Sequence, residues 1–174
     1  MNILRFSPLV VLLLSISGTA SAATISISGF LNDPGNGFLV GPGLSPDSPL
    51  FGNDFEIANN TALHPLSVPS SGLVTFTSVG FVAGGVDPYF TLFSGLGPGA
   101  TFYDSNFFQA FSTGGDFSIT LSLAAGDYTV AMGVFANMSL AENARAPSLG
   151  DGFTGLGQPD LLGNYYYELE VVVP

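Results

Sequence analysis

Residues 116–124 decide the fold class, and they read Asp-Phe-Ser-Ile-Thr-Leu-Ser-Leu-Ala. The apolar residues at 117, 119, 121 and 123 alternate with Ser and Thr. Because successive side chains of a β-strand point to opposite faces, this period of two predicts a strand with one buried and one exposed face. Residues 127–135 and 165–173 repeat the pattern, and at the C terminus Tyr166, Glu168 and Glu170 fall on the polar side.

Shorter apolar runs between Gly, Pro and Asp clusters predict further strands. They lie at residues 24–31, 73–82, 89–94, 101–103 and 107–112, with a weaker one at 55–58. The connection 124–127 is suited to a hairpin. About eight short strands predict an all-β fold, an antiparallel β-sandwich or jelly roll. Residues 139–146 are the one stretch with a helical composition, enough for about two turns.

Residues 1–22 have the features of a cleaved signal peptide. Arg5 precedes an apolar run, and Ala20-Ser21-Ala22 forms the small-x-small pattern of a cleavage site. The run is shorter than the ~20 residues that span a bilayer, so it does not predict a transmembrane anchor. We therefore expect a secreted or cell-surface protein with one domain at residues 23–174.

Composition excludes several functional classes. The chain has 2 Lys+Arg against 13 Asp+Glu and no Cys. A nucleic-acid-binding protein needs a basic surface, so nucleic acid is excluded as a partner. Disulfides, Cys-ligated zinc and thiol catalysis are excluded too. An exported chain without Cys favours a bacterial origin, and the absence of Lys from strand edges favours self-association, which the net charge of −11 opposes.

Four segments in order resemble the pre-peptidase C-terminal (PPC)-like domains of secreted bacterial proteins. They are Gly72-Leu-Val-Thr-Phe-Thr, Asp87-Pro-Tyr-Phe-Thr-Leu-Phe, Ala125-Gly-Asp-Tyr-Thr-Val and Tyr167-Glu-Leu-Glu-Val. The variant in PEP-CTERM-type exported proteins is the most similar, because residues 151–157 read Asp-Gly-Phe-Thr-Gly-Leu-Gly. The resemblance covers about residues 70–172 and implies a non-catalytic β-sandwich. Such proteins continue into a sorting tail, whereas these residues end at Val173-Pro174 and do not support sorting by that route.

The sequence gives little indication of catalysis. His64 is the only histidine and lies in a polar stretch, so we interpret it as a surface residue without a catalytic triad. Glu168 and Glu170 share a strand face about 6.6 Å apart, near the spacing of an inverting glycosidase pair. The alternation of residues 165–173 explains both as a solvated face, and we predict no enzyme activity.

The sequence instead predicts two kinds of binding site, one for Ca²⁺ and one for a sugar. Asp104-Ser105-Asn106 is dense in oxygen ligands, so Asp104 and Asn106 form a candidate Ca²⁺ site. Aspartates in turns, such as Asp87, Asp116 and Asp151, are more typical of backbone capping. The long loops 32–53 and 136–164 are where we expect a ligand.

Aromatic side chains on outer faces are typical of sugar-binding modules. Tyr166, Phe107 and Phe108 are therefore candidate ligand contacts, although packing beneath a long loop would also explain them. The sequence leaves two hypotheses. The first is a structural or adhesive protein of the extracellular matrix or cell surface, with polysaccharide or matrix protein as partner. The second is a Ca²⁺-assisted carbohydrate-binding module.

Overall fold

A computed structural model describes residues 22–33, 35–36, 61–107, 115–143, 148–154 and 164–174. Their strands form two antiparallel four-stranded sheets, which confirms the all-β sandwich of about eight strands. The elements are β1 (Ala23–Phe30), β2 (Ala62–Val68), β3 (Gly72–Ser78), β4 (Tyr89–Ser94), β5 (Thr101–Ser105), β6 (Ser118–Leu123), β7 (Gly126–Gly133), α1 (Leu140–Asn143) and β8 (Tyr166–Val173).

The first sheet has the strand order β1-β8-β3-β6, and the second has β2-β7-β4-β5. Within the described residues, β4 and β5 are the one consecutive pair of strands that hydrogen-bond to each other. The hairpin predicted at residues 124–127 is therefore wrong: β6 pairs with β3 in the first sheet, whereas β7 pairs with β2 and β4 in the second. The short connection therefore crosses between the sheets, and β6 and β7 both bury apolar side chains in the space that the sheets enclose.

That enclosed space holds the main core. The apolar face predicted for β6 is buried there, from Phe117 at 7% exposure to Leu123 at 2%. Phe90 of the second sheet lies between Phe76 and Phe117 of the first, with ring centroids 4.9 and 5.6 Å away. Aromatic pairs at such distances add about 0.5–1.5 kcal/mol beyond their buried area.

The outer face of the second sheet is also covered. It is crossed by residues 134–143 and 148–154, which are here called the strap. One β-bridge, Thr101↔Ser148, joins the strap to β5, and another, Ser139↔Phe153, lies within the strap. A second apolar cluster forms beneath the strap from Leu63, Phe93, Ala100, Ala131, Ala141, Leu149 and Phe153. The central strand β4 is thus buried on both faces.

Several predicted boundaries differ from the structure. β2 is missing from the prediction; it is an edge strand, where its Pro65 is tolerated. β3 ends at Ser78, four residues before its predicted end, and a turn follows. The helix α1 has one turn in the described residues. Phe107 lies beyond β5, outside any strand, and the remainder of the strand predicted at 107–112 falls outside the described residues, as do the strand at 55–58 and nearly all of the predicted signal peptide.

None of the helices in the described ranges has the length and apolar character that crossing a membrane requires.

Candidate functional site

Exposed apolar side chains gather at one end of the first sheet. Antiparallel pairing places the last residue of β1 opposite the first residue of β8, Phe30↔Tyr166, and the end of β3 lies at the same end of the sheet. Phe30 is 51% exposed, and in the turn after β3 Phe81 and Val82 are 44% and 88% exposed. Phe30, Phe81, Val82 and Tyr166 are called the aromatic end below.

Glu168 orients the Tyr166 ring at this end. The Tyr166 hydroxyl donates to Glu168 Oε2 at 2.7 Å, and this hydrogen bond is the main reason that the pKa of Tyr166 is raised. The ring centroids of Phe30 and Tyr166 lie 5.6 Å apart at an interplanar angle of 56°, so the two rings pack against each other. The Ser26 hydroxyl donates to Glu168 Oε1 at 3.5 Å. Tyr166 and its neighbours thus present a fixed aromatic surface beside a carboxylate.

The turn at residues 79–85 is held by Asp116. The Asp116 carboxylate accepts hydrogen bonds from the backbone N–H groups of Phe81 and Val82 at 3.1 and 2.9 Å, and from the Ser78 hydroxyl at 2.8 Å. Gly85 allows the turn to approach β8, since a Cβ there would lie 2.2 Å from the carbonyl oxygen of Tyr166. The exposed side chains are therefore presented by a backbone that is already ordered.

Among the described residues, the rest of the outer face of the first sheet is mostly polar, with Leu73 and Val172 as exposed apolar exceptions, and it carries no Lys or Arg. Cross-strand hydroxyl pairs join Thr75 to Thr120 at 2.9 Å and Thr77 to Ser118 at 3.0 Å. Glu170 is exposed one pleat beyond Glu168. The chain's two cations, at positions 5 and 145, both lie outside the described residues. This face therefore offers hydroxyl groups and carboxylates beside aromatic rings.

The predicted ligand residues are not all in one place. Tyr166 lies at the aromatic end, on the face opposite the buried Tyr167, as the alternation indicates. Phe107 is partly buried at the end of β5 in the second sheet, where its N–H donates to Ser105 Oγ at 3.2 Å. Phe108 lies outside the described residues. A ligand role for Phe107 and Phe108 stays a prediction.

The candidate Ca²⁺ residues have backbone partners in the structure. Asn106 is buried, its Nδ2 donates to the Pro88 carbonyl at 2.8 Å, and its Oδ1 accepts from the Phe90 N–H at 2.9 Å. Asp104 Oδ1 accepts from the Ser105 N–H at 2.8 Å. In the part of the chain that the structure describes, no three His, Cys, Asp or Glu side chains are grouped to hold a metal ion. Ca²⁺ binding at Asp104 and Asn106 stays a prediction.

The turn aspartates behave as the sequence predicts. Asp87 Oδ1 accepts from the Gly115 N–H at 2.6 Å, and Asp151 Oδ2 accepts from the Ser148 N–H at 2.9 Å. With Asp116, these carboxylates satisfy backbone donors that would otherwise lack a partner inside the protein.

His64 is more buried than the sequence predicts, although part of its side chain stays exposed. It lies on the inner side of β2, and its Nε2 forms a 2.8 Å hydrogen bond with the hydroxyl of Tyr167 in the opposite sheet. Burial lowers the pKa of His64, and burial together with the charge of Asp33 raises the pKa of Tyr167 to about 12. The Tyr167 ring passes over Gly29, where a Cβ would lie 2.6 Å from the hydroxyl. This contact joins the two sheets and is structural.

A buried polar cluster fixes the strap. The hydroxyls of Tyr89 and Ser105 both donate to the Glu142 carboxylate, at 2.6 Å for Ser105. Burial, followed by the hydrogen bond to Glu142, raises the pKa of Tyr89. With its lone pairs directed to two buried donors, Glu142 holds α1 against the second sheet.

An apolar depression of about 260 Å³ lies on the other side of the molecule, beside β2. Leu63, Pro65, Leu96 and Leu149 contribute to its wall, and the Thr129 hydroxyl in it already donates to the Gly95 carbonyl at 2.9 Å. His64 also lines the depression, but its Nε2 is already bonded to Tyr167, and no Asp, Glu, Lys or Arg of the described ranges lines it, so the aromatic end is the better candidate site.

Sequence reasoning found Tyr166 but missed Phe30, Phe81 and Val82. Phe81 and Val82 were assigned to a strand, although Gly80 and Gly84-Gly85 on either side are turn signals that would have placed them in a loop. The alternation of β1 places Phe30 on the same outer face as Ser26 and Ser28, but its position beside Tyr166 follows from strand pairing, which the local sequence does not specify.

The chain matches no protein-family model and no curated protein. Among solved structures it is similar to PliG of Aeromonas hydrophila, a periplasmic inhibitor of g-type lysozyme, with 14% sequence identity and a TM-score of 0.38. The similarity covers 92% of this chain and 91% of that one. A likeness this remote says nothing about what the chain binds.

Proposed function

We propose that this chain is an exported, non-catalytic β-sandwich that acts in the extracellular matrix or at the cell surface by adhering to polysaccharide through its aromatic end. One observation carries the proposal: the partly exposed Tyr166 ring is fixed by Glu168 beside the exposed Phe30, on a face lined with hydroxyl groups. A sugar packs the C–H groups of its ring face against aromatic rings. Its hydroxyl groups form hydrogen bonds with carboxylates and with other hydroxyls.

Other features agree with this role. The predicted signal peptide favours export, and the resemblance to PPC-like domains implies a non-catalytic β-sandwich. The strap covers the outer face of the second sheet, whereas the outer face of the first sheet keeps Leu73, Val172 and Phe30 exposed. His64 and Glu142 form hydrogen bonds with Tyr167 and Ser105 inside the protein, whereas the Phe30 ring at the aromatic end is exposed to a ligand.

Affinity electrophoresis of residues 23–174 through gels with and without polysaccharides tests the proposal. We expect neutral and amino-sugar polymers to retard the protein, and the double variant Phe30→Ala/Tyr166→Ala to lose at least about ten-fold in affinity, the equivalent of about 1.4 kcal/mol. Leu73→Ala is the matched control, because Leu73 is 68% exposed on the same face at the opposite end of the sheet.

Two results would overturn the proposal. One is the absence of retardation by every polymer. The other is unchanged binding by the double variant with an unchanged melting curve. Repeating the gels with EDTA tests the Ca²⁺-assisted form of the hypothesis, in which Asp104 and Asn106 take part; loss of binding on chelation would support it, and unchanged binding would exclude it.

A further inference from the structure

We infer that the polysaccharide bound at the aromatic end carries protonated amino groups, as a glucosamine polymer does. This inference rests on the proposed function and adds the chemical class of the ligand. The juxtaposition behind it is that two carboxylates, Glu168 and Glu170, follow the aromatic rings of Tyr166 and Phe30 along β8.

The charge of the face selects among polymers. Glu168 and Glu170 follow each other on the outer side of β8, about 6.6 Å apart by strand rise. Their neighbours in register on β1 are Ser28 and Ser26, and no Lys or Arg is among the described residues to offset them. The whole chain carries a net charge of −11. A uronate or sulfated polymer would therefore be repelled, whereas an ammonium-bearing polymer is attracted.

Glu168 has hydrogen-bonding capacity left for an ammonium group. A carboxylate offers about four lone-pair sites. The Tyr166 hydroxyl uses one on Oε2, and the Ser26 hydroxyl uses one on Oε1. The remaining sites are oriented by those two hydrogen bonds, and Glu170 beyond them is exposed. Charge-assisted hydrogen bonds from N⁺–H to a carboxylate are about twice as strong as neutral ones.

The aromatic rings favour the same ligand. An ammonium group within about 6 Å of a ring centroid is attracted to the face of the ring. The Phe30 and Tyr166 centroids are 5.6 Å apart, and Tyr166 is joined to Glu168 by its own hydroxyl. Because the Glu168 carboxylate lies 2.7 Å from the Tyr166 hydroxyl, an ammonium group bound by that carboxylate lies beside the aromatic rings, and a neutral N-acetyl group lacks the charge for either attraction.

Isothermal titration of residues 23–174 with matched oligosaccharides tests the inference. The probes are β-1,4-linked glucosamine and N-acetylglucosamine oligomers of equal length, which share a backbone and differ in charge, together with an oligouronate. We expect the glucosamine oligomer to bind at least ten-fold more tightly than its acetylated counterpart, the uronate to bind most weakly, and the preference to shrink as salt is raised.

Two single-charge variants distinguish a local site from general attraction. Glu170→Gln removes one exposed carboxylate from the face, and Asp127→Asn removes one exposed carboxylate from the second sheet. We expect Glu170→Gln to reduce the preference for glucosamine about three-fold or more while leaving the affinity for the acetylated oligomer unchanged. Asp127→Asn should change neither affinity.

Any outcome that differs from these expected results counts against the inference. Equal affinity for the two oligomers would refute the charge selection, and so would equal effects of Glu170→Gln and Asp127→Asn. The proposed adhesion would survive either result if Phe30→Ala/Tyr166→Ala still abolished binding. Polylysine binding as tightly as glucosamine, without dependence on Phe30 and Tyr166, would show that any polycation suffices. If no oligomer binds, the proposed function fails and this inference fails with it.

Discussion

The hydrogen bond between His64 and Tyr167 makes a measurable prediction about stability. Tyr167→Phe removes the hydroxyl that lies 2.8 Å from His64 Nε2 and leaves the ring in place. A net hydrogen bond contributes about 0.5–1.5 kcal/mol, and a buried donor or acceptor left unpaired costs about 1–3 kcal/mol. Because the His64 side chain is partly exposed and water can reach it, we expect a loss of about 1–2 kcal/mol at pH 7.5. This corresponds to a fall in Tm of roughly 2–8 °C.

The same pair makes stability depend on pH. Burial lowers the pKa of His64 below its ordinary value of 6.5 in the folded protein, so the unfolded chain binds a proton first as the pH falls. The free energy of unfolding of the wild type should therefore decrease as the pH falls through 6.5 and continue to decrease until the folded-state pKa is reached. The slope cannot exceed about 1.4 kcal/mol per pH unit, and it will be smaller because the ring is partly solvated. Tyr167, whose pKa burial raises to about 12, stays protonated throughout this range.

Urea unfolding at pH 7.5, 6.5 and 5.5 measures the effect, with His64→Gln as the control. His64 is the only histidine in the chain, so this variant removes the imidazole titration entirely. We expect the wild type to lose more stability than His64→Gln between pH 7.5 and 5.5. Parallel curves for the two proteins, or a wild type that becomes more stable on acidification, would refute the reasoning.

Three further substitutions test other contacts. Gly29→Ala places a Cβ 2.6 Å from the Tyr167 hydroxyl, and a loss of about 1–3 kcal/mol in urea unfolding is expected; no loss would mean that the ring moves freely. Asp116→Ala removes the acceptor of two backbone N–H groups, so limited proteolysis should cut the turn after β3 faster, and an unchanged cutting rate would contradict that role. Glu142→Gln weakens the hydrogen bond from Tyr89 and should cost about 1–3 kcal/mol while increasing hydrogen exchange in the strap; wild-type exchange would argue against Glu142 as its anchor.

The strands were predictable wherever one face is buried and the other is solvated. The alternation in residues 118–123 matches the burial of β6 residue by residue, and β8 behaves in the same way. In β4 and β7 the period-two signal is weaker because the strap buries their outer faces as well. β2 was not predicted; it tolerates Pro65 because it lies at the edge of its sheet, and edge position is not encoded locally.

The candidate site was predictable in part. The alternation places Tyr166 and Glu168 together on the outer face of β8, and their hydrogen bond follows from that spacing. Phe30 is distant in sequence and becomes their neighbour through the pairing of β1 with β8. His64 is more buried than predicted for the same reason, because its partner Tyr167 comes from the opposite sheet.

The sequence by itself determined that the chain folds into amphipathic strands, which side of β6 and β8 faces inward, and that the surface is acidic, because these properties depend on residue type and on a local period of two. The tertiary structure alone decided which strands pair, that residues 124–125 cross between sheets, that the strap covers the second sheet and that Phe30 meets Tyr166. Those outcomes depend on how the apolar faces of distant strands are buried together, and that burial is a property of the whole assembled core.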